Sequence, residues 1–107
     1  MDQRHIFLAT MIAFPIASGH STAQEVGSAA RGLAFAEQVC ARCHAVQKQQ
    51  TRSPNNDAPS FQDIASIPGM TAAALSAALH TSHQTMPNLV LDPNELADVI
   101  AYILSLK

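Results

Sequence analysis

The 107-residue chain has no tryptophan and a single tyrosine, and only 13% of its residues are charged. Its six Lys and Arg against eight Asp and Glu give a formal charge of −2. With no basic stripe and few aromatics for stacking, it carries no electrostatic footprint for nucleic acid, and none is expected as a partner. Long apolar runs are missing too. The stretch Ile6–Ala17 is about a dozen residues and contains Pro15, which falls short of the roughly 20 residues needed to span a bilayer. The only two cysteines, Cys40 and Cys43, sit three positions apart, so a long-range disulfide staple is excluded. At this length there is one domain and no room for a second core. Domains this small bury a modest share of their surface and commonly rely on a disulfide, a metal or some other added centre.

What is present begins with a leader. Arg4 and His5 lie in a short polar start, Ile6–Ala17 is the apolar run, and Ser21-Thr22-Ala23 supplies small residues at cleavage spacing. Residues 1–23 therefore read as a secretory signal peptide and residues 24–107 as the functional domain, exported to the periplasm. No stable membrane insertion is expected after cleavage, and retention as an anchor is the lesser alternative. Losing Asp2 and Arg4 leaves the formal charge at −2. Export also places the thiols where they tend to oxidise.

The chemistry concentrates in Cys40-Ala41-Arg42-Cys43-His44. Two thiols at this spacing followed by an imidazole form the pattern that attaches haem. Each thiol adds to one porphyrin vinyl group, and the histidine is carried under the iron as an axial ligand. Its coordinating nitrogen must be unprotonated, and the other ring N–H needs an acceptor to fix the ring. Other readings of the pair are a redox dithiol, a plain disulfide, or a zinc site shared with His80 and His83. The dithiol calls for a βαβ setting, which the flanking sequence does not provide. For zinc, H-x2-H is tighter than usual.

The domain reads as helices joined by turns. After a short exposed lead, Gln24–Gly27, Ser28 caps a helix running through Ala29 to Val39, with Gly32 inside it. A glycine there costs about 1 kcal/mol relative to alanine, which suggests a close neighbour. Residues 47–58 form a polar surface loop whose Lys48 and Arg52 read as solvated charges. Ser60 to Ala65 is a short segment, Pro68-Gly69 a turn, and Thr71 the cap of an alanine-rich helix, Ala72 to His80, suited to close packing. Asp92-Pro93-Asn94-Glu95 opens the last helix with a cap, a proline at its first position and a capping-box acid. Its Leu96, Val99, Ile100, Ile103 and Leu104 form one apolar stripe. Lys107 suits the negative end of the helix dipole.

Met86-Pro87 precedes that helix. A thioether opposite a histidine raises the potential of haem iron by favouring the ferrous state. Met70, His80 and His83 are the other residues beyond the motif able to reach an iron, and bis-His ligation or an open position are the alternatives to Met86.

Taken in order, Gly32, C-x-x-C-H, Pro59, Met86-Pro87 and Tyr102 resemble the small single-haem class I cytochromes c, over nearly all of residues 24–107. The resemblance implies an all-α fold, three main helices plus a short one wrapped around one covalently attached haem c. It implies Cys40 and Cys43 as the thioether residues, His44 and Met86 as axial iron ligands, with His83-Gln84-Thr85-Met86-Pro87 similar to the family's H-x-x-M-P loop. Pro59 is then the residue whose carbonyl receives the His44 N–H, and Gly32, Phe35 and Ala36 stand where the first helix crosses the last, against Tyr102. Many relatives hold a haem propionate with a tryptophan or tyrosine, and here there is no tryptophan. The implied function is electron transfer between redox protein partners, cycling Fe(III) and Fe(II), without enzymatic turnover. The alternatives are a haem c relay subunit of a specific periplasmic redox enzyme and a haem-free C-x-x-C thiol oxidoreductase.

Overall fold

A computed structural model describes residues 27–81 and 85–107. The expected signal segment 1–23, the lead residues 24–26 and His83 lie outside them. Among the described residues the regular elements are four helices: α1 (Ala29–Val39), α2 (Phe61–Ser66), α3 (Ala72–His80) and α4 (Pro93–Leu104). This is the all-α arrangement of three main helices and a short one.

Local chemistry sets each start. The side chains of Ser28, Ser60, Thr71 and Asp92 each accept a backbone N–H from the first turn of their helix, satisfying donors with no partner inside it. At α4 the Glu95 side chain returns the bond to the Asp92 N–H, completing a capping box, with Pro93 supplying a preset φ.

α1 crosses α4, and α2 and α3 also pack on α4. The contact is as close as backbones allow. A Cβ on Gly32 would stand 2.0 Å from the Asp98 carbonyl oxygen and 2.8 Å from the Tyr102 Cβ. Ala36, Val99, Ile100, Tyr102, Ile103 and Leu106 are buried around this crossing, with Val46, Phe61, Ala65 and Leu75 continuing the same core. Burying side chains such as Val99 and Ile103 contributes about 1.5–3 kcal/mol each.

Asp98 is the buried charge of the crossing. One carboxylate oxygen accepts the Ser28 N–H at 2.6 Å and the other the Arg31 Nε–H at 2.8 Å, so α1 is tied to α4 beside Gly32. The Arg31 guanidinium first, and the Ser28 N–H second, hold its carboxyl below the ordinary value.

Two local expectations are corrected. Gly27 is not an exposed lead: a Cβ there would meet the Ala97 carbonyl oxygen at 2.0 Å, so the chain enters α1 pressed on the α4 backbone. Lys107 does not serve the α4 dipole. The helix ends at Leu104, and the ammonium reaches the Met70 carbonyl oxygen at 2.6 Å. In α3 Leu75 enters the core, and Ala78 and Leu79 line the same cavity as Leu75, while the other alanines are exposed.

Candidate functional site

α1 ends at Val39 with Cys40 as its C-cap. The backbone turns once more, and the Cys40 carbonyl accepts the N–H groups of both Cys43 and His44, at 3.1 and 2.9 Å. Residues at positions i, i+3 and i+4 of a helical turn share one face. The two thiols and the imidazole accordingly line one cavity, of about 880 Å3, within the range of cofactor sites. Its wall also carries Phe35, Phe61, Ile64, Leu75, Val99 and Ile103, so it is mostly apolar.

The segment after the turn is fixed residue by residue. The Cys43 carbonyl accepts the Asn55 N–H at 3.1 Å and the Ala45 carbonyl the Phe61 N–H at 2.9 Å. The Ala45 N–H donates to Ser53 Oγ at 2.9 Å, and the Val46 carbonyl accepts the Tyr102 hydroxyl at 2.5 Å. The polar stretch 47–58 has no helix of its own, but Ser53 and Asn55 bind it back onto the motif. It is the expected surface loop, tied down at Ser53 and Asn55.

His44 Nδ1 lies 2.7 Å from the Pro59 carbonyl oxygen. A carbonyl can only accept, so Nδ1 carries a hydrogen and Nε2 is the nitrogen left to bind a metal. Phe61 stands against the same ring, with centroids 5.6 Å apart and planes at 53°.

On the far side in sequence, Thr85, Met86 and Pro87 line the same cavity, with Met86 half-buried. Met70 lines it as well and packs on the core. His80 does not. It borders a separate space of about 270 Å3 beside Leu89 and Leu96, and its Nδ1 is 2.6 Å from the Ser76 carbonyl oxygen of its own helix. His83 lies outside the described residues. Among the described residues no group of three or more His, Cys, Asp or Glu is placed to hold a metal ion.

Burial pushes the Cys40 thiol up to about 11. Its place at the negative end of α1 works in the same direction. A redox dithiol needs the opposite, a thiol whose pKa is lowered so that the thiolate can attack.

Sequence reasoning passed over Asp98, Ser53 and Asn55. Asp98 was marked by its position four residues before Tyr102, which puts both on the α4 face that meets α1. Ser53 and Asn55 carried no periodic signal.

An all-helical chain closed around an apolar cavity, with paired thiols, an imidazole held at Nδ1 and a thioether on its wall, is built to hold a covalently attached cofactor. The chain belongs to the cytochrome c family, whose model, described as Cytochrome c, matches residues 29–107. No curated protein and no solved structure matches the chain. The cofactor is haem c, and the C-x-x-C-H residues fit it: two thiols for two thioether bonds and a cavity of matching polarity. The protein is a haem-based electron-transfer protein. Among the described residues no helix is long and apolar enough to cross a membrane.

Proposed function

We propose that the chain is an exported, periplasmic single-haem electron carrier in which Cys40 and Cys43 hold the haem through thioethers and His44 and Met86 are the axial ligands. The observation that carries this is the His44–Pro59 bond of 2.7 Å. It occupies Nδ1 and leaves Nε2 as the ligating nitrogen of a ring on the wall of a cavity shared with Cys40, Cys43 and Met86. When bound, haem supplies the Fe(III)/Fe(II) couple. The residues do the rest: Pro59 holds the His44 proton, the apolar wall excludes water, and the Met86 sulfur favours the ferrous state. No bond would be made to a substrate; electrons would be exchanged with redox protein partners, and Val39 and Ile67 are exposed apolar residues on the wall of the cavity.

The test is the visible spectrum and potential of haem-loaded protein made with its leader. Wild type is expected to show c-type bands on reduction and a weak sulfur-to-iron band when oxidised. Met86→Ala is expected to lose that band and fall in potential; an unchanged spectrum and potential would remove Met86 from the ligand set. Cell fractionation with mass measurement is expected to find the protein in the periplasm, beginning at Gln24, and a chain retained in the cytoplasm would overturn the export reading.

A further inference from the structure

We infer that Phe61 is a positioning residue for His44, its ring setting the rotation of the imidazole that the Pro59 hydrogen bond leaves free; this rests on His44 being an iron ligand. A hydrogen bond to a carbonyl fixes where Nδ1 points, but acceptor directions at carbonyl oxygen are broad. The ring can still roll about the N–H···O line. The side chain's own torsions limit the roll, and within the range they leave it is resisted by whatever touches the ring itself. Phe61 does so at a centroid separation of 5.6 Å and a tilt of 53°, inside the spacing of about 4.5–7 Å that aromatic pairs prefer.

Phe61 cannot easily yield. It is only 4% exposed, and so is Ser60, which caps the helix that Phe61 begins. Its N–H is held by the Ala45 carbonyl at 2.9 Å. Its ring also meets that of Tyr102, at 6.3 Å and 51°, and Tyr102 is pinned by its hydroxyl to the Val46 carbonyl. The imidazole is thus oriented by a hydrogen bond at one atom and by a ring that two further attachments keep in place. The plane of a ligating imidazole decides which iron d orbital its π system overlaps, so its rotation governs how unpaired spin spreads over the porphyrin in the ferric state.

The experiment is proton NMR of the oxidised, haem-loaded protein. Phe61→Leu removes the ring while keeping an apolar side chain and leaving the Pro59 carbonyl in place. Ile100→Val serves as a core control, because Ile100 is buried and absent from the cavity wall. The expected result is a changed order or spread of the hyperfine-shifted haem methyl resonances in Phe61→Leu and a wild-type pattern in Ile100→Val. Phe61→Tyr, which retains the ring, is expected to keep the wild-type order. A Phe61→Leu protein with wild-type hyperfine shifts overturns the assignment, even if its stability has fallen. Where Phe61→Leu gives no folded protein, Phe61→Ile is read in the same way. A wild-type spectrum without the shifted protons of one ligated imidazole overturns the ligand assignment of His44 instead, which keeps the two failures apart.

Discussion

Gly32 faces the Asp98 carbonyl so closely that any side chain at that position would occupy the space of the oxygen, the nearest approach being 2.0 Å. Gly32→Ala gains about 1 kcal/mol of helix propensity but must force α1 and α4 apart. Overpacking of this kind costs about 1–3 kcal/mol, and more where backbone is the obstacle. Denaturant unfolding of the haem-loaded variant is expected to show a net loss of stability. An equal or higher midpoint would mean that the crossing is looser than its geometry.

Asp98 sits beside that crossing and sets a pH dependence. Its folded pKa lies below the ordinary carboxylate value of 3.8, chiefly through the Arg31 side-chain bond and then through Ser28. A depressed acid contributes stability that is present above the unfolded value and lost as pH falls through the folded one. Asp98→Asn is therefore expected to be less stable than wild type at neutral pH, with the gap narrowing below about pH 4. Melting curves across acid pH check this, and a constant gap would show that the ion pair is not its source.

Tyr102 donates its hydroxyl to the carbonyl of Val46, a residue only 2% exposed. Tyr102→Phe leaves that carbonyl without its partner, at a cost of about 1–3 kcal/mol. Burial first, and Glu37 second, raise the tyrosine's pKa. The unfolded chain then ionises before the folded one, and stability falls as pH rises through the ordinary tyrosine range near 10. The Phe variant is expected to lose this part of the alkaline dependence, which pH-dependent unfolding measures directly.

On the proposed thioether attachment through Cys40 and Cys43, haem retention is independent of folding. In strong denaturant the wild-type chain is expected to keep its haem, while the double variant Cys40→Ser, Cys43→Ser releases it. Gel filtration in denaturant with absorbance detection separates the two outcomes, and release from wild type would count against the thioether bonds.

The helix starts were legible because their signals are local: Ser28, Thr71 and the Asp92–Glu95 box each act within one turn of themselves. The cluster of Cys40, Cys43 and His44 was legible for the same reason, since one turn of backbone brings the three together. Pro59 came into view only through resemblance to a family, and Met86 through its thioether chemistry together with that resemblance, because no rule of spacing joins them to His44. Least visible were the side chain to backbone ties over long separations, such as Ser53 to Ala45 and Tyr102 to Val46. Those depend on how the segments meet. Lys107 shows the opposite error: a local rule, the helix dipole, was outweighed by a carbonyl of Met70 that only the fold brings near.

Apart from the Cys40 carbonyl, the ties that hold residues 43–46 come from Asn55, Ser53, Pro59, Phe61 and Tyr102, all of them later in the chain. A chain emerging N-terminus first thus exposes its C-x-x-C-H turn before the residues that clasp it have followed. The order of residues along the chain doubles as a schedule, in which the turn comes first and its clasp closes only when α4 arrives.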